Sequence, residues 1–144
     1  AMGTSLVDPR IGQAGDVDTA IVTLTFENGA LGVIDNSRRA AYGYDQRVEV
    51  FGSLGMAAGE NDGDSTVRLS TAAGVESDKP KFFFLERYMD SFVEEMRQFI
   101  AAITENKDVP VGIHAGLMSV VLAKAAKKSL DEHRPVKISE MLEG

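Results

Sequence analysis

The side chains best suited to chemistry concentrate in one stretch, Asn36-Ser37-Arg38-Arg39-Ala40-Ala41-Tyr42-Gly43-Tyr44-Asp45-Gln46-Arg47. It joins two strand-like segments, yet it is longer and more decorated than hairpin closure demands. Tyrosine hydroxyls beside Asp and Arg supply many donors and acceptors, and the rings offer faces to C–H edges. A polyol site needs that combination. Tyr42, Tyr44, Asp45 and Arg47 are therefore the candidate substrate-binding residues. A plainer reading stands beside this one: Asp45 pairs with Arg47 and the tyrosines pack down, making the stretch a structural loop.

No other residues assemble a catalytic set. The sequence has no cysteine, which removes thiolate nucleophiles, thiolate metal sites and disulfides together. His114 and His133 lie at opposite ends of an expected helix, more than about 25 Å apart at the helical rise, so they cannot share a metal. His133 reads as a helix C-terminal charge, and His114 as a cap or loop residue. Glu86, Asp90 and Glu94 repeat every four residues along a polar helical face, a solvated stripe of like charge rather than an enclosed acid-base pair. Asn61, Asp62 and Asp64 resemble the start of a calcium loop. No Glu follows at the right distance, and turn chemistry explains them better. None of the 14 glycines falls in a dinucleotide-type or P-loop-type phosphate-binding spacing. No phosphate loop, shared metal site or catalytic set can therefore be argued from these residues alone.

The elements that position the tyrosine-rich stretch change character halfway along. Residues 18 to 27 alternate, with Ala20, Val22, Leu24 and Phe26 facing one way and Thr19, Ile21, Thr23 and Thr25 the other. Asn28-Gly29 suits a type I′ turn, so the segment from Ala30 through Leu31, Val33 and Ile34 should return as an antiparallel partner. A third strand is expected from Gln46 to Phe51, with shorter ones at Met56 to Gly59, Thr66 to Ser70 and around Val75. The threonine-rich face, with Ile21 and Phe51, suits either solvent or a second subunit.

The second half has helical period. Leu85, Tyr88, Met89, Phe92, Val93, Met96, Phe99, Ile100 and Ile103 form one stripe, expected to pack as core against the sheet. Asn106 and Pro110 bracket the connection that follows. A second helix from about Ala115 to Glu132 turns Leu117, Met118, Val121, Leu122, Ala125 and Leu130 inward. Pro135 to Ile138 could add an edge strand. Strands first and two long helices after predict an α+β domain, an open antiparallel sheet with both helices packed on one face. Residues 1 to 15 are read as an N-terminal tail, with Ala1 to Ser5 resembling a cloning remnant, and residues 16 to 144 as the domain proper.

A hydrophobic fraction of 44% and a charged fraction of 26% over 144 residues are those of one ordinary globular domain. A net charge of -7 argues against nucleic acid and against anionic membrane surfaces as partners. With no spanning apolar run and no signal segment, a cytoplasmic location is the default expectation.

These residues also carry a resemblance. Gly15-Asp16-Val17-Asp18-Thr19-Ala20 and Phe26-Glu27-Asn28-Gly29-Ala30-Leu31-Gly32 resemble the Gfo/Idh/MocA oxidoreductase family. Asp35-Asn36-Ser37-Arg38, Tyr42-Gly43-Tyr44-Asp45-Gln46-Arg47 and Glu49-Val50-Phe51-Gly52-Ser53 are similar to its inositol 2-dehydrogenase branch. Glu86-Arg87-Tyr88, Pro110-Val111 and Arg134-Pro135-Val136 continue the match. The resemblance implies a C-terminal α+β substrate and oligomerisation domain, whose N-terminal Rossmann partner binds NAD or NADP. It also implies that the glycine loop, the Glu-Lys-Pro motif with its catalytic lysine and the Asp-x-x-x-His motif lie upstream. One departure is visible: where the family often has Gly-x-Asp-Gly, this chain has Ile113-His114-Ala115-Gly116.

The expectation is thus a fragment of an NAD(P)-dependent dehydrogenase that oxidises a ring alcohol of a polyol or sugar. By itself it should be inactive, and it should form a homodimer or homotetramer through its sheet face. The rivals are a non-catalytic oligomerisation module and a sugar-binding module acting alone.

Overall fold

The computed structural model describes residues 1–142. In chain order these form β1 (Met2–Thr4), α1 (Pro9–Gln13), β2 (Thr19–Thr25), β3 (Leu31–Ser37), β4 (Val48–Gly52), β5 (Gly55–Gly59), β6 (Arg68–Thr71), β7 (Gly74–Ser77), α2 (Phe84–Thr104), α3 (Ile113–Glu132) and a closing 3-10 turn, Ile138–Met141. The chain is α+β, as its two-part pattern predicts, and all strand pairing among the described residues is antiparallel. The expected single sheet is divided into three, ordered β1-β2-β3, β4-β5 and β6-β7. Two compact units result, one of residues 1–39 with the chain from 109 onward, the other of residues 40–108.

In the first unit β2 and β3 pair in the register Thr19↔Ser37, Val22↔Ile34 and Thr25↔Leu31. The alternation in β2 is as the sequence predicts: Ala20, Val22 and Leu24 are half-buried while Ile21, Thr23 and Thr25 are exposed. The turn differs from the expected type I′. Gly29 alone has positive φ, +84°, and its N–H donates to the Phe26 carbonyl at 2.9 Å. This is a three-residue loop of type I with a left-handed glycine. Asn28 uses its side chain instead, its Oδ1 accepting from the Ala30 N–H at 3.0 Å.

Helix α3 supplies the core of this unit, with Val121 4% and Ala125 5% exposed. A crevice of about 440 Å³ remains between it and the sheet, lined by Ala20, Val22, Leu24, Leu122, Ala126 and Leu130. The first fifteen residues, read from sequence as a tail, contain β1 and α1. Their anchor is Asp18, only 5% exposed. Its carboxylate accepts from the N–H groups of Leu6, Val7 and Asp8 at 3.2, 2.8 and 2.8 Å and from the Thr19 hydroxyl at 3.0 Å. Burial alone would push the Asp18 carboxyl up, but these donors outweigh it and hold it below the ordinary carboxylate value.

The expected edge strand at Pro135–Ile138 does not form; Lys137 instead caps the 3-10 turn. Glu140 accepts from the Lys137 N–H at 2.9 Å and from Arg134 at 2.7 Å. A local side-chain clamp here displaces a strand ladder. Both long helices end on a left-handed residue, Asn106 at φ 49° and His133 at φ 52°. After α2 the Lys107 N–H reaches the Ala102 carbonyl at 2.9 Å, closing a Schellman turn.

In the second unit α2 spans nearly the predicted residues, but its apolar stripe is not buried as expected. Met96, for example, is 57% exposed, and only Ala102 in α2 is buried. The ribbons β4-β5 and β6-β7 are two strands wide, too narrow to cover a helix of 21 residues. No helix among the described residues is long and apolar enough to cross a membrane.

Candidate functional site

The tyrosine-rich stretch lies mostly in the second unit, in the connection that leads into β4. Its shape begins at Gly43, buried with φ +149°. A Cβ there would stand 2.5 Å from the Pro80 carbonyl oxygen, so only glycine fits. The next residue is pinned to the same segment, the Tyr44 N–H donating to the Lys81 carbonyl at 2.8 Å. That segment is itself tied to Asp62 and Gly63: Gly63 bridges Pro80 antiparallel, Lys81 N–H donates to the Asp62 carbonyl at 3.0 Å, and Lys81 Nζ meets the Asp62 carboxylate at 2.5 Å.

Asp45 is the centre of the arrangement. Its Oδ1 accepts from Arg47 Nε at 2.8 Å and Asn61 Nδ2 at 2.7 Å. Its Oδ2 accepts from an Arg47 terminal nitrogen at 3.0 Å and from the Tyr42 hydroxyl. Each oxygen thus receives two donors, and a carboxylate has about four such positions to fill. The Arg47 guanidinium, with Tyr42 and Asn61 after it, holds the Asp45 carboxyl well below the usual carboxylate range. The Arg47 guanidinium is in turn raised by Asp45. Such a carboxylate stays ionised and cannot act as a proton acceptor near neutral pH.

Tyr42, Asp45 and Arg47 are therefore brought together, while Tyr44 turns to Tyr88, and their parts differ. Asp45 is turned inward as an organiser, its side chain 14% exposed against 60% for Arg47. Tyr42 is exposed beside it. Tyr44 is half-buried, its ring meeting that of Tyr88 edge-on at 5.6 Å. Three participants escaped the sequence reading. Asn61 serves the loop twice, donating to Asp45 and accepting from the Gln46 N–H at 2.8 Å. Gln46 accepts from the Tyr88 hydroxyl through its side chain. Tyr88 reads as apolar core from its spacing; the available signal was its hydroxyl, which must find a partner when buried.

Nothing among the described residues gathers three or more metal-ligating side chains. The arrangement can present hydroxyls and a guanidinium to a neutral, oxygen-rich molecule.

Residues 2–138 match the family described as "Oxidoreductase family, C-terminal alpha/beta domain". The chain is 54% identical over 138 residues to a protein of Bacillus subtilis named uncharacterized oxidoreductase YrbE, covering 96% of this chain and 40% of that protein. It is 51% identical over 142 residues to a protein of Thermotoga maritima named myo-inositol 2-dehydrogenase, covering 99% of this chain and 42% of the relative. The crystal structure of a probable dehydrogenase from Thermotoga maritima superposes with a TM-score of 0.91 at 52% identity, over 96% of this chain and 42% of that one. The chain thus spans roughly two-fifths of the length of these relatives.

Proposed function

This chain belongs to the Gfo/Idh/MocA oxidoreductase family as its C-terminal alpha/beta domain, and from that premise we propose that it forms the substrate side of an inositol-type dehydrogenase. The reaction is oxidation of a ring secondary alcohol of a polyol or sugar to the ketone. Tyr42, Tyr44 and Arg47 line the cleft, and Asp45 shapes it. The observation that carries the reading is the fully occupied Asp45 carboxylate, which holds the Tyr42 hydroxyl and the Arg47 guanidinium side by side. The Arg47 guanidinium has further N–H groups to donate, and the Tyr42 oxygen, its hydrogen turned to Asp45, can accept; a donor and an acceptor side by side suit vicinal hydroxyls.

NAD or NADP, which would accept the hydride, does not fit the residues present. The glycines of this chain fall in no dinucleotide-type spacing and the chain covers about two-fifths of its relatives, so the reading assigns cofactor and acid-base groups to the part of the longer protein outside this chain. What this chain does is bind and orient the polyol. The test joins it to the nucleotide-binding domain that precedes it in the longer protein. Reduced nicotinamide should form with an inositol, and no turnover with any cyclic polyol or aldose would refute the reading.

We also propose that the chain assembles as a homodimer or homotetramer. Phe51 on β4, 82% exposed and opposite Met56 on β5, supports an apolar sheet face as the contact. A pure assembly module is the second reading, and this same face favours it. Retained assembly without polyol turnover would select it.

A further inference from the structure

We propose that Tyr88 is the positioning residue that couples helix α2 to the tyrosine-rich loop and so sets the affinity for polyol; this rests on the dehydrogenase reading given above. Successive residues of the loop make contacts of two kinds. Asp45 and Arg47 bond to each other, whereas Tyr44 and Gln46 both turn to Tyr88. That alternation is the one expected of an extended backbone. The Asp45 knot orients Tyr42 and Arg47 but makes no hydrogen bond to the Tyr44 ring. The Tyr44 ring depends instead on Tyr88, 5.6 Å away at 82° between planes. The Tyr88 hydroxyl, donating to Gln46, fixes the residue that separates Asp45 from Arg47.

Tyr88 is itself held from α2. Phe92, one turn on, packs against it edge-on at 6.2 Å. The Arg87 guanidinium lies 6.0 Å from the ring centroid. Arg87 Nε is buried with no hydrogen-bond partner, and the guanidinium has the ring face beside it as well as the Asp62 carboxylate in electrostatic range. Tyr88 thus has a helix behind it and both free elements of the loop in front.

Two protected amides read the coupling directly. The Tyr44 N–H is bonded to Lys81 and the Gln46 N–H to Asn61. In this chain, Tyr88→Phe should speed hydrogen exchange at both about fivefold, the equivalent of one lost hydrogen bond, while the β2 and β3 amides keep their rates. Gln46→Leu should match it. Combining the two should give less than their sum, since both remove the Tyr88–Gln46 bond, although Tyr88→Phe also removes the hydroxyl contact between Tyr88 and Tyr44. Tyr88→Leu, which also removes the ring, should loosen Tyr44 further. Unchanged loop exchange in Tyr88→Phe, or full additivity with Gln46→Leu, overturns the proposal.

In the longer protein, Tyr88→Phe should raise the KM for inositol roughly three- to tenfold with kcat within about twofold. A fall in kcat at unchanged KM also overturns it. If the unaltered longer protein oxidises no polyol, the dehydrogenase reading falls, and the exchange cycle still decides the role of Tyr88 in the loop.

Discussion

Arg47 grips the carboxylate of Asp45, two residues earlier, through both Nε and a terminal nitrogen at 2.8 and 3.0 Å. A two-residue separation lets one short side chain and one long one close a planar, bidentate pair on the same side of an extended backbone. The pair sets where Tyr42 and Asn61 must stand, because only the outer lone pairs of Asp45 are left to them.

Replacing Asp45 by Asn should therefore leave one Arg47 N–H and one further donor without an acceptor, at a cost of about 1–3 kcal/mol. Urea unfolding at pH 7 measures it. The sign with pH follows from the lowered folded-state value of Asp45. Its contribution is complete above the unfolded carboxylate value of about 3.9 and drains away as pH falls towards the folded one. The gap between parent and Asp45→Asn should accordingly narrow on acidification below pH 4 and stay constant between about pH 5 and 8. A gap that widened in acid would contradict the arrangement.

Gly43→Ala should disturb the loop more than its size suggests. The added Cβ meets the Pro80 carbonyl at 2.5 Å, and the backbone at φ +149° resists any side chain. A loss of about 2 kcal/mol is expected. The Tyr44 to Lys81 bond should weaken with it, read as faster exchange of the Tyr44 amide.

His133→Gly should stabilise the protein. His133 ends α3 in the left-handed region, where a Cβ costs energy that glycine avoids. The glycine's greater freedom in the unfolded chain offsets part of the gain, leaving about 0.5–1 kcal/mol. A higher unfolding midpoint without change in slope is the expected result.

Phe51→Lys should reduce the assembly state, read as solution mass by light scattering, while the unfolding of the separated chain hardly moves. The side chain is 82% exposed within one chain, so little packing is lost there. An unaltered mass would remove β4 from the contact.

How much of this was legible without coordinates depended on how far the partners lie along the chain. Leu85 to Ile103 fixed a helix by period alone, and α2 runs from Phe84 to Thr104. The alternation of Ala20, Val22 and Leu24 fixed the inner face of β2, and Asn28-Gly29 placed the hairpin though not its turn type. Asp45 and Arg47 were pairable on sight, being two residues apart.

The remaining features needed tertiary structure. Asn61 and Tyr88 lie 16 and 42 residues from the loop positions they hold. Local propensity depends on near neighbours, whereas such contacts depend on which segments collapse together. The same reason explains the division into three sheets and the exposed stripe of α2. Period tells which side chains share a face, but only packing decides what, if anything, that face meets. The sequence by itself determined β2, β3, the two long helices and the family. The fold decided that Asp45 faces inward as an organiser, since its four acceptor positions are filled by residues brought together in space.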